Sequence, residues 1–179
     1  MSFKYYMDNE TQVDLYQKIK KPGSKEDIVD AFWITLLPDY FPKRLNYSLH
    51  AQRHPNNTDK AIDVVVGARV IRHNGLQSVI LIEDKRRGLE TRNAEWADAL
   101  SQLTDYMLET RKEKGQAQSQ VLYGAVNIGT WSRFYQLDVG AIECINYPGT
   151  NGKLYEVAND EEEVHNILVE WGFKITHGV

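Results

Sequence analysis

Asp63 and the triplet Glu83-Asp84-Lys85 are the residues of this chain whose types and spacing best suit chemistry. Asp63 follows Ala61-Ile62 and opens the apolar run Val64-Val65-Val66, while the triplet closes the run Ser78-Val79-Ile80-Leu81-Ile82. The turn signal His73-Asn74-Gly75 lies between the runs, so they read as adjacent strands of a hairpin. Successive strand residues face opposite sides, so Glu83 and Lys85 share a face and Asp84 takes the other. Carboxylates and an amine at the end of a buried sheet are costly to place unless a cation or a reaction uses them. That set suits a hard metal ion with a lysine beside it, which is the equipment for hydrolysing phosphodiesters. Each part alone reads as a solvated strand end. Their joint occurrence on strands expected to pair carries the chemistry.

Other residues extend the set. Gln102 and Tyr106 are four apart on a helical stretch, so both project from one face beside the stripe Ala99, Leu103 and Met107. Glu26 stands in the first turn of another helix, where the helix dipole favours an acid, and Asp30 follows one turn later. Arg86, Arg87 and Arg92 come directly after the triplet, and Arg53 with His54 precedes Asp63, so these are the expected phosphate contacts. The aromatic residues, including Phe32, Trp33, Trp96 and Phe134, read as core. Histidines show no metal-ligand spacing, and the single cysteine, Cys144, excludes a disulfide or a thiolate zinc cluster within the chain.

The elements that must position these groups follow from periodicity and stop signals. A helix over about 9–20 ends in Lys18, Lys20 and Lys21 before Pro22-Gly23. A second begins with Ser24 as N-cap and ends at Leu37-Pro38. Leu45 to Ala51 alternates as a first strand, and the loop His54-Pro55-Asn56-Asn57 leads into the hairpin. A long helix spans about Asn93 to Lys114, followed by strands at Val121–Val126 and Trp131–Leu137 and a further one within Ile142–Tyr147. Asn159 with Glu162 caps a last amphipathic helix through Trp171. The order α-α-β-β-β-α-β-β-(β)-α predicts one α/β domain, a central mixed sheet flanked by helices.

At 179 residues the chain fits one domain with its own core, and its 42% apolar and 26% charged shares are ordinary for a folded protein. The formal charge of -4 exerts no global pull on nucleic acid, so phosphate binding rests on local basic patches. The first residues lack the apolar run of a signal peptide and no stretch is long enough to span a bilayer, which makes an intracellular protein the expectation.

The ordered set Glu26, Asp63, Glu83-x-Lys85 and Gln102-x-x-x-Tyr106 resembles the PD-(D/E)xK nuclease superfamily. The helical Gln-x-x-x-Tyr is similar to the extra motif of its RecB-like exonuclease branch. The stretch from Tyr123 to Tyr135 resembles the strand-turn-strand of restriction-endonuclease-like proteins, and the likeness covers about residues 24–138. The resemblance implies a restriction-endonuclease-like fold and a Mg²⁺- or Mn²⁺-dependent nuclease acting on DNA. It implies Asp63 and Glu83 as metal carboxylates, the backbone carbonyl of Asp84 as a further ligand, and Glu26 completing the site. Lys85 would orient or help deprotonate the attacking water and stabilise charge on the phosphate. Gln102 and Tyr106 would position the site or the nucleic-acid backbone. The chain departs from the pattern in having Ile62, not Pro, before Asp63, and it carries no helicase or ATP motif. Cutting both strands at this size calls for a homodimer or a partner. The alternative is the same fold kept as a non-catalytic nucleic-acid-binding or protein-interaction module, which the small size and acidic pI of about 5.7 favour. A third is a metal-independent scaffold.

Overall fold

The computed structural model describes residues 5–54, 61–69 and 75–178. The predicted turn residues His73 and Asn74, and Pro55-Asn56-Asn57 of the predicted loop, lie outside them.

Helix α1 (Glu10–Ile19) starts where the Asn9 side chain accepts from the backbone N–H groups of Thr11 and Gln12, at 2.9 and 3.3 Å. Helix α2 (Glu26–Tyr40) starts one residue later than a Ser24 cap requires. Lys25 holds the cap position, the Ser24 hydroxyl bonds nothing, and Glu26 and Asp27 supply the negative charge that the first turn favours. The helix also runs through Pro38 instead of stopping there. Pro38 falls in the last turn, where its missing N–H costs one bond, and burial of Leu36 and Leu37 just before it holds the turn in place.

Strands β1 (Tyr47–Arg53), β2 (Ile62–Ala68) and β3 (Gln77–Lys85) form an antiparallel meander. Helix α3 (Asn93–Lys112) then carries the chain over the sheet, so that β4 (Leu122–Ile128) lies parallel to β3. Strand β5 (Trp131–Leu137) turns back antiparallel beside β4. The strand expected within Ile142–Tyr147 is only the pair Ile145–Asn146, β6, and a second short strand, β7 (Tyr155–Glu156), also pairs with β5. Helix α4 (Glu161–His177) closes the chain, capped at Asp160 without a side-chain bond rather than at Asn159. The result is a mixed central sheet in the order β1-β2-β3-β4-β5-β6 with helices on both faces.

Two apolar cores separate on the two sides of the sheet. Helices α1, α2 and α4 pack against Val64, Val66, Ile80, Ile82 and Ala125, with Trp171 amid Tyr123, Phe134 and Tyr147. On the other side α3 lays Trp96, Ala99, Leu103 and Met107 onto Val65, Leu81 and Val126. Close approach of α3 depends on Gly124: a Cβ there would collide with the Met107 methyl and lie 2.8 Å from the Leu81 carbonyl oxygen. Among the described residues, no helix is long and apolar enough to cross a membrane.

Candidate active site

The antiparallel register pairs Val64 with Ile82, which sets Asp63 across from Glu83 at the end of β2 and β3. Both lie on the face that α3 covers, since Val65 and Leu81 of the same parity pack against it. Asp63 is fixed by two donors: its Oδ2 accepts from the Asp84 backbone N–H at 2.7 Å, and its Oδ1 from Gln52 Nε2 at 3.1 Å. Lys85 Nζ donates to Glu83 Oε1 and, at 3.3 Å, to Gln102 Oε1 from α3. Tyr106, one turn further along α3, faces the same carboxylates. Glu26 approaches from the first turn of α2, accepts from the Arg86 backbone N–H, and feels the charges of Lys85 and Asp63. Thus β2, β3, α2 and α3 each bring a polar group to one end of the sheet.

The electrostatics are those of an acid cluster short of positive charge. Burial, then the charge of Asp63, pushes the Glu83 carboxyl up to about 7 against the opposing pull of Lys85. Glu83 Oε2 is buried with no hydrogen-bond partner. Burial raises Asp63 and Glu26 too, tempered for Asp63 by the Asp84 N–H and for Glu26 by Lys85. Burial pulls Lys85 down, but the charge and hydrogen bond of Glu83 outweigh it and hold the ammonium above its usual range. The Tyr106 phenol is raised by burial and by Glu83 and Asp63. One lysine offsets three neighbouring acids only in part.

Asp84 belongs to the opposite face. Its carboxylate is fully buried, and its Oδ1 accepts from Asn127 Nδ2 at 2.7 Å, while Asn127 Oδ1 accepts from Ser132 Oγ at 2.6 Å. Asp30 of α2 lies in hydrogen-bonding reach of it. Burial, then the charge of Asp63, holds Asp84 far above the carboxylate range, and burial with Asp63 and Glu26 lifts Asp30 to about 6. Asp84 Oδ2 and Asp30 Oδ1 have no donor, so a proton held between the two carboxyls relieves both. The Asp84 side chain is thus withdrawn from the Asp63–Glu83 face, where only its backbone remains.

The expected phosphate contacts divide. Arg86, Arg87 and Arg92 are exposed on the turn between β3 and α3. Arg87 donates to the Lys20 carbonyl oxygen, and Arg92 stands 3.7 Å from Glu95. Arg53 is committed elsewhere: it pairs with Glu113 at 2.6 Å and contacts Ser78 Oγ. Glu113 caps the C-terminus of α3, about 16 Å along the helix from Gln102, so the guanidinium is drawn away from the carboxylates. Cys144 is a half-buried thiol beside Met107 whose pKa burial raises.

Some members of the site carry no signal in the sequence. Gln52 adopts a left-handed backbone, φ 49°, and brings its amide to Asp63. Nothing in an alternating strand marks that residue. Asn127 stands between Val126 and Ile128 and Ser132 between Trp131 and Arg133, and only the pairing of β4 with β5 joins them.

Among the described residues, no group of three or more His, Cys, Asp or Glu side chains forms a ready-made metal centre. Mg²⁺ characteristically binds through one or two carboxylates and keeps several waters, and the hard oxygen donors of Asp63 and Glu83 with the orphaned Glu83 Oε2 fit that demand. Comparison with family models, curated proteins and solved structures finds no match.

Proposed function

We propose that this protein is a divalent-metal-dependent nuclease of the PD-(D/E)xK type that hydrolyses phosphodiester bonds in DNA, with Mg²⁺ or Mn²⁺ held by Asp63 and Glu83. The observation that carries the reading is Asp63 opposite Glu83 with Lys85 on the same face and a buried carboxylate oxygen of Glu83 that has no hydrogen-bond partner. A bound divalent ion supplies Lewis acidity and a more acidic water. The chain's residues do the rest. Asp63, held by Gln52 and the Asp84 N–H, presents a fixed oxygen, and Glu26 would complete the site from α2. Lys85 stays protonated, so it acts as a point charge that orients the attacking water and stabilises the phosphate rather than as a base. Gln102 holds the Lys85 ammonium in place, and Tyr106 borders the acids where the phosphate approaches.

A non-catalytic DNA-binding module is the second reading, favoured by the Lys85–Glu83 pair, which occupies one of the oxygens a metal needs. Cleavage of single- and double-stranded DNA with Mg²⁺ or Mn²⁺ separates the two. The nuclease reading expects Asp63→Ala and Lys85→Ala each to lose about a hundredfold or more in rate. Equal cleavage by wild type and both variants would mark a contaminant and end it. Metal and DNA binding without product favours the module.

A further inference from the structure

Beside the carboxylates lies a group of cations that the proposed reaction does not use. The turn between α1 and α2 carries Lys20, Lys21 and Lys25, all exposed. Arg87 fastens that turn to the one between β3 and α3 by donating to the Lys20 carbonyl oxygen. The two turns share a shallow depression of about 290 Å³ lined by Pro22, Gly23, Arg87, Gly88 and Glu90. Lys25 immediately precedes Glu26, which itself accepts from the Arg86 N–H, so the cations border the acid cluster directly.

Lys18, Arg53, Lys112, Lys153 and Lys174 each pair with a carboxylate. Among the described residues, Lys20, Lys21, Lys25, Arg86 and Arg87 make no ion pair; Lys20 instead stands over the Tyr16 ring, 5.1 Å from its centroid. Lys43, Arg44 and Arg69 also make no ion pair among the described residues, but they stand by the end of β2 away from Asp63, so what marks this rim is unpaired charge beside the acids. Apart from Glu26 and the cluster behind it, the nearby acids are few. Glu90 accepts from the Gly88 N–H, Glu95 stands near Arg92, and Asp27 lies at the start of α2. In a chain of net charge -4, these unpaired cations from two turns, fixed together beside the acid cluster, form a local positive rim that a polyanion lying along both turns would meet.

We infer that the α1–α2 turn, through Lys21 and Lys25, is the second wall of a track for the DNA phosphate backbone, whose first wall is Arg86 and Arg87. The inference rests on the nuclease reading for its choice of polyanion. Phosphates following the track pass from the α1–α2 turn across Arg87 toward Lys85, so the strand enters from the side of α1. Neutralising each phosphate releases counterions, which gives the track a readout in salt dependence that does not require cleavage.

The test is fluorescence anisotropy of a labelled DNA duplex with the full chain in EDTA, across a salt series, for wild type, Lys21→Ala/Lys25→Ala and a control, Lys43→Ala/Arg44→Ala. Lys43 and Arg44 lie on the turn before β1. The expected result is a salt slope shallower by about two units for the Lys21/Lys25 variant, with the control unchanged. An unchanged slope, an equal loss in the control, or no binding by wild type overturns the track. Cleavage by wild type, measured in parallel, separates the two ideas. A slope that moves with no cleavage sinks the nuclease and leaves the track; cleavage with a slope that does not move does the reverse.

Discussion

Neighbouring acids at the end of β3 meet opposite surroundings. Glu83 points toward α3, where it finds Lys85, Asp63 across the strand pair and the polar groups Gln102 and Tyr106. Asp84 points toward α2, where Asn127, Ser132 and Asp30 enclose it completely. The first face carries the carboxylates of the proposed metal site; the second is sealed by its own hydrogen bonds. Period-two alternation therefore divides one triplet between the proposed site and a buried network beneath it. The two are joined through the backbone, because the N–H of Asp84 is what orients Asp63.

The sharpest way to break this contrast is to attack the sealed face. Asn127→Leu removes the donor to Asp84 and leaves a buried carboxylate without one. We expect a loss of about 2–3 kcal/mol in urea unfolding. A cost below that of Gln102→Ala would show that the buried network is not a foundation.

Both faces respond to pH, the Glu83 face over the higher range. The Glu83 carboxyl lies at about 7 in the folded protein against 4.5 ordinarily, and Asp30 at about 6 against 3.8. Between those values the folded chain keeps protons that the unfolded chain has released, so this stability is full below about pH 3.8 and falls as pH rises toward 7. Melting temperature followed from pH 5 to pH 8 in EDTA should fall, and saturating Mg²⁺ should flatten the trend by balancing the acids. Glu83→Gln should remove the upper part of the fall. A melting temperature that climbs through this window would mean that the acids ionise without strain.

The smallest expected effect on stability belongs to Gln102→Ala, no more than about 1 kcal/mol, since Gln102 is half-buried and water can replace its bond to Lys85. Turnover should nonetheless drop about tenfold or more, because the ammonium is then free to swing. A variant that loses stability and activity in parallel would place Gln102 with the structural face instead.

How much of this was legible from the chain depends on the range of each interaction. The adjacency of β2 and β3, and the stripe that lays α3 on the sheet, follow from patterns repeating within a few residues. The opposition of Glu83 and Asp84 follows from strand alternation alone. The ends of α2 did not: the stop at Pro38 is a local rule overridden by burial of Leu36 and Leu37, and the cap passes from Ser24 to Lys25, where Glu26 and Asp27 supply the first turn's charge. Strand β7 is only two residues, too short for any alternation to show. Arg53 reads as a phosphate contact from its place before Asp63, yet its partner Glu113 is 60 residues away. Gln52 and Asn127 gain their roles only from what the fold sets beside them.

The central claim is that Asp63 and Glu83 together hold a divalent ion. The most direct measurement is a crystal soaked in Mn²⁺ and examined for anomalous density between them. The account predicts an ion about 2.1 Å from an oxygen of each carboxylate, with Lys85 shifted off Glu83. At saturating Mn²⁺, a gap without density and Lys85 still paired to Glu83 would contradict it.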